Sequence, residues 1–72
     1  MKERIKEIMK RVFNLDDVTD DISQKNCGKW DSMAHLNLVI ELEEEFDVSL
    51  EPEEIAEMTS LSKVEEILNK TK

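Results

Sequence analysis

Apolar residues recur along the chain at helical spacing in three places, separated by polar stretches. Ile5, Ile8, Met9, Val12 and Phe13 follow the i, i+3, i+4, i+7 pattern with Lys, Arg and Glu between them, which predicts a helix over residues 2–13. In the last part of the chain Leu61, Val64, Ile67 and Leu68 form a similar stripe. Thr59 or Ser60 is placed to cap it, and Lys70 and Lys72 suit the negative end of its dipole, so a helix over 60–69 is expected. Between them lies the longest apolar-periodic run, Met33, Leu36, Leu38, Val39, Ile40, Leu42 and Phe46. At about 100° per residue it fills an arc wider than an ordinary amphipathic stripe, and the expectation is a central helix over 32–46 covered on several sides. Its polar strip is Asn37, Glu41, Glu44 and Glu45.

The connections are read from their breakers. Residues 14–29 are rich in Asp, Ser and Asn and hold the chain's one glycine, so they predict a long loop, tucked against the helices by Leu15, Val18 and Ile22. Pro52 suits the first turn of a short helix over about 53–58, with Glu53 and Glu54 favoured at its positive end and Ile55 and Met58 facing inward. The fold class is therefore all-α: a small four-helix bundle of three main helices and one short one, formed by residues 1–72 as a single domain. Met9, Met33 and Met58 are expected as adaptable filler of the core.

Charge narrows the function. Eighteen acidic residues against ten basic ones leave a net charge of −8, which disfavours nucleic acid and anionic membrane surfaces and favours partners with basic patches. The basic residues of the first helix, Lys2, Arg4, Lys6, Lys10 and Arg11, form either a solvated face or pairs with Glu residues of a neighbouring helix. A single Cys27 forms no intramolecular disulfide, and with one His it builds no zinc site, which fits a cytoplasmic protein. Asp16, Asp17, Asp20 and Asp21 lack the alternation and central glycine of an EF-hand loop, so no metal site is expected. No apolar leader and no run of ~18 apolar residues is present, so neither a signal peptide nor membrane insertion is expected.

The candidate chemistry sits where loop meets central helix, at Lys29-Trp30-Asp31-Ser32-Met33. Asp31 is a favourable N-cap, and Ser32 then takes the first helical position, exposed and held on a rigid element. A phosphate attached there would lie beside the backbone donors and positive dipole of the helix. On local residues alone, a structural serine and a modified serine are both open. A hydrolase triad of Asp31, Ser32 and His35 is rejected, since no cleft or oxyanion hole accompanies it. Trp30 is read first as an anchor of the loop end and second as a partner contact.

Asp31-Ser32-Met33 opening a helix that ends Leu42-Glu43-Glu44-Glu45-Phe46 resembles the Asp-Ser-Leu motif and second helix of acyl carrier proteins, and the resemblance extends over essentially the whole chain. It implies a 4′-phosphopantetheine arm, derived from coenzyme A, attached through a phosphodiester to Ser32, with acyl or aminoacyl groups held as thioesters on its thiol. The chain would then be a carrier and not an enzyme. The implied partners are a phosphopantetheinyl transferase, an acyl- or aminoacyl-loading ligase, and synthases or transferases. Met33, Glu41, Glu44 and Glu45, with Glu53, Glu57 and Glu54 of the short helix, are the expected docking residues of a monomer. Gly28-Lys29-Trp30 replaces the Leu-Gly-Ala typical of fatty-acid carriers, and Ala34 and Asn37 replace common acids. This points to a specialised role in lipid or secondary-metabolite biosynthesis. An acidic helical adaptor that needs no modification is the alternative from another class.

Overall fold

A computed structural model describes residues 1–71; the expected role of Lys72 at the last helix end lies outside them. Four helices follow in order, α1 (Lys2–Phe13), α2 (Ser32–Phe46), α3 (Pro52–Glu57) and α4 (Leu61–Thr71). The all-α bundle expected from periodicity is the fold found. The short helix begins one residue earlier than expected, because Pro52 itself supplies the preset φ of its first position. The last helix runs 61–71 instead of 60–69, because Ser60 stays outside as the cap, its Oγ accepting from Lys63 N–H at 3.2 Å.

The first two helices end for a local reason. Asn14 and Asp47 adopt the left-handed conformation after α1 and α2, at φ 56° and 54°. Their N–H groups donate to the carbonyls of Lys10 and Glu43, closing the last turn. Asn and Asp tolerate this geometry better than other non-glycine residues.

One face of each long helix meets in a common core: Ile5, Ile8, Met9 and Phe13 of α1, Leu38, Val39 and Leu42 of α2, and Leu61, Val64, Ile67 and Leu68 of α4. The long loop closes this core with Val18, Ile22 and Trp30, and Leu15 packs at its edge, as its spacing led us to expect. The loop is stitched to the start of α4 by an isolated antiparallel bridge between Ser23 and Ser60. Gln24 N–H donates to the Thr59 carbonyl at 2.9 Å, and Leu61 N–H to the Ile22 carbonyl at 3.1 Å. No sequence pattern signalled this contact.

The expectation of a central helix covered on several sides is overturned. Met33, Leu36 and Ile40 stand 72%, 55% and 53% exposed along the outer face of α2. Met33 is therefore not core filler, whereas Met9 and Met58 are fully buried. Four helices from so short a chain do not surround α2, so the surplus width of its apolar arc is left in water. Among the described residues, no helix is long and apolar enough to cross a membrane.

Candidate functional site

The start of α2 is built from the loop upward. Trp30 N–H donates to the Cys27 carbonyl at 3.1 Å, turning the chain inward. The indole is then buried, 4% exposed, against Phe13 of α1 with ring centroids 5.1 Å apart. This is the structural reading of Trp30, and it holds the residue before the cap in place. Asp31 follows in extended conformation, and its Oδ1 accepts from Ala34 N–H at 2.9 Å. Its carbonyl accepts from His35 N–H at 2.8 Å. Of the donors at the helix start that have no helical acceptor, Asp31 thus satisfies that of Ala34, and the N–H groups of Ser32 and Met33 have no partner among the described residues.

His35 ties this turn to its surroundings. The Trp30 indole N–H donates to His35 Nδ1 at 3.0 Å, and on the other side of the ring Nε2 lies 2.8 Å from the Ile55 carbonyl. An indole nitrogen only donates, so Nδ1 is the acceptor and Nε2 carries the proton it gives to Ile55. Both ring nitrogens are engaged, which leaves none to activate Ser32 and removes the triad on geometric grounds.

Ser32 stands exposed at the first position of α2, with no hydrogen-bond partner for its hydroxyl among the described residues. Beside it runs an open groove of about 470 Å³ lined by Gln24, Trp30, Asp31, Ser32, His35 and Leu36. An exposed hydroxyl, two free amide donors and a carboxylate already turned onto its own helix fit a phosphodiester at this position.

The expected docking residues divide into groups. Glu41 and Glu45 are half-exposed or exposed but face α1, where Arg11 donates to Glu41 at 2.5 Å and Arg4 to Glu45 at 2.8 Å. The basic residues of the first helix are thus in part paired, not merely solvated. Arg4 is held above its ordinary value, first by its hydrogen bond to Glu7 and then by the charge of Glu45. Glu44 lies exposed beside the outer apolar face. Glu53 and Glu57 are exposed on α3, while Glu54 is half-buried and its Oε1 accepts from Glu51 N–H at 2.9 Å as part of the helix start. Met33 is exposed at the head of the outer face, with Leu36 and Ile40 continuing it. Leu36 and Ile40 were missed as surface residues; their only signal was the excess width of the apolar arc. Gln24, in the groove wall, carried no signal, since the bridge that places it joins segments far apart in sequence.

Comparison with known families gives a match over residues 3–68 to the family described as phosphopantetheine attachment site. The chain belongs to that family. It is accordingly a carrier domain for a 4′-phosphopantetheine prosthetic group, not itself catalytic. Among solved structures it is similar to a holo acyl carrier protein from Geobacter metallireducens, with 22% identity and a TM-score of 0.85 over 97% of this chain and 83% of that one. It is also similar to a candidate acyl carrier protein from Mycobacterium tuberculosis, at 21% identity and a TM-score of 0.85 over 96% and 95% of the two chains. These likenesses show a shared fold. A comparison with curated protein sequences finds no significant match.

Proposed function

We propose that Ser32 is the attachment residue and that the chain serves as an acyl carrier protein, presenting cargo to partner enzymes in fatty acid, lipid or secondary-metabolite biosynthesis. The observation that carries this reading is an exposed hydroxyl as the first residue of α2, on a helix start held by the Asp31 cap and by the Trp30 and His35 contacts. The arm, when attached, supplies a thiol on which acyl groups are held as thioesters. The chain's own work is to hold the arm's root rigid and to offer a surface to each enzyme that takes the cargo.

That surface is best read as the outer face of α2, Met33, Leu36 and Ile40 with Glu44 beside them, with Glu53 and Glu57 exposed on α3 as further acidic groups. It leads directly away from Ser32, so an enzyme that reaches the arm meets it. Glu41 and Glu45 contribute less, since their charges are offset by Arg11 and Arg4. The partner patch would therefore combine an apolar centre with basic groups at its edge.

The test is intact mass before and after treatment with a phosphopantetheinyl transferase and coenzyme A. Addition of one arm to the chain, and none to Ser32→Ala, is the expected result. Absence of any addition favours an unmodified acidic adaptor. Equal addition to Ser32→Ala moves the site elsewhere.

A further inference from the structure

We propose that Arg4 and Arg11 of α1 set the partner specificity of α2. By pairing with Glu45 and Glu41 they withdraw two carboxylates from the docking face, which then selects enzymes with an apolar patch and a single cation over enzymes with a row of basic residues. The proposal rests on the reading of Ser32 as the attachment residue and concerns which enzymes meet the carrier there.

Residues 32–58 hold nine acidic residues and no Lys or Arg, so any cation that meets the acids of α2 comes from another part of the fold or from a partner. Four of these acids, Glu41, Glu43, Glu44 and Glu45, lie on α2. Glu43 is half-buried, and its Oε2 accepts from Leu50 N–H at 2.8 Å, holding the chain that leaves the helix. Glu41 accepts from Arg11 at 2.5 Å and Glu45 from Arg4 at 2.8 Å. Of the four, Glu44 is exposed and has no partner among the described residues.

Glu44 also continues the apolar strip. Met33, Leu36, Ile40 and Glu44 follow one another at spacings of three and four, so they line one side of α2 over roughly 16 Å. Glu41 and Glu45 stand one position further round the helix, toward α1. An ion pair at the surface stabilises the fold little, but its two charges cancel at a distance, and a basic partner is steered by the unpaired groups. Arg suits this role better than Lys because its planar fork can hold two carboxylates at once. Arg4 donates to Glu7 at 3.1 Å and to Glu45 at 2.8 Å. What a partner meets is then an apolar strip ended by one carboxylate. An enzyme that relies on several cations sets most of them against carboxylates already neutralised, whereas an apolar surface with one Lys or Arg opposite Glu44 is matched in full.

The experiment measures kcat/KM for addition of the arm to Ser32, followed by intact mass, with two phosphopantetheinyl transferases. One has a row of basic residues at its docking surface and the other an apolar docking surface. A freed carboxylate facing a cation at roughly 8 Å in water is worth a factor of about two. Arg4→Gln/Arg11→Gln should therefore raise kcat/KM about fourfold with the first enzyme at low salt, lose the gain at roughly 0.5 M salt, and change little with the second. Arg11→Gln alone should give a rise of about twofold, which keeps the test in force if the double variant unfolds. Arg4→Lys/Arg11→Lys retains both charges and should stay at the natural rate. Lys63→Gln/Lys70→Gln changes the net charge equally but on α4, and should also stay there.

An equal rise in the α4 variant, or a rise with both transferases alike, overturns the proposal, since net charge and not the two pairs would then govern the rate. So does the absence of a rise in Arg11→Gln with an unchanged circular dichroism spectrum. These outcomes leave addition of the arm, and with it the attachment reading, in place. Absence of addition to every form in the mass spectrum overturns that reading and the proposal with it.

Discussion

The indole N–H of Trp30 and the imidazole of His35 form a bond of 3.0 Å that continues through Nε2 to the carbonyl of Ile55, 2.8 Å away. A loop residue, the first turn of α2 and the short helix α3 are thereby connected by one neutral side chain. Because α3 itself contributes no buried residue within its bounds, this link and the burial of Met58 just after it matter for its position. His35→Ala leaves a buried indole donor and a carbonyl unpaired, and should cost about 1–3 kcal/mol of stability. Urea unfolding gives the loss, and amide exchange at residues 55–59 should rise more than in the core of α1.

Asp31→Ala removes the cap that accepts from Ala34 N–H, with an expected loss of about 0.5–2 kcal/mol, read as a lower thermal midpoint. Asp31→Asn keeps an acceptor oxygen and should recover most of the midpoint. If both variants lose stability equally, charge at the helix start and not the cap bond is the larger contribution.

Reversing charge at Glu41 sets a lysine against Arg11, so Glu41→Lys should reduce stability at low salt and recover as salt is added. Ile40→Asp, at a residue 53% exposed, should leave the unfolding midpoint nearly unchanged and slow modification by a phosphopantetheinyl transferase. The two variants separate a charge spent inside the fold from a side chain offered to partners. Steady-state kinetics at low and high ionic strength, alongside thermal unfolding, checks both.

Asp20 draws together Lys2 and Lys6 of α1, fastening the long loop to the helix. Its carboxyl is held below the ordinary carboxylate value, first by the hydrogen bond from Lys6 and then by the charge of Lys2. Lys6 is raised, first by its hydrogen bond to Asp20. A lowered acid contributes stability that is present above its unfolded value and lost as pH falls through the folded one. A raised ammonium contributes stability that is present below its unfolded value and lost as pH rises through the folded one. The contribution of this pair is therefore level across neutral pH and declines at both extremes. The midpoint difference between the natural chain and Asp20→Asn should be constant near neutrality and shrink toward acid. Exposure keeps it small, and added salt should reduce it further.

The elements of this protein were legible because the rules that form them act within a turn or two of the chain. Apolar spacing marked α1, α2 and α4, Pro52 marked α3, and Asp31 announced both a helix start and an exposed Ser32 after it. The candidate site was legible for the same reason, since its serine and cap are neighbours in sequence. Tertiary structure alone decided which faces met. Met33, Leu36 and Ile40 are as apolar as Leu38, Val39 and Leu42, and only the placement of α1 and α4 determined that the first three face water. Glu41 and Glu45 differ from Glu44 not in type but in lying across from Arg11 and Arg4, residues about three to four tens of positions away in sequence. The Ser23–Ser60 bridge that sets Gln24 over the groove, and the His35 bond to Ile55, likewise join segments that no local pattern relates. Burial and pairing depend on neighbours brought together by the whole fold, whereas helix starts and ends depend on the few residues beside them.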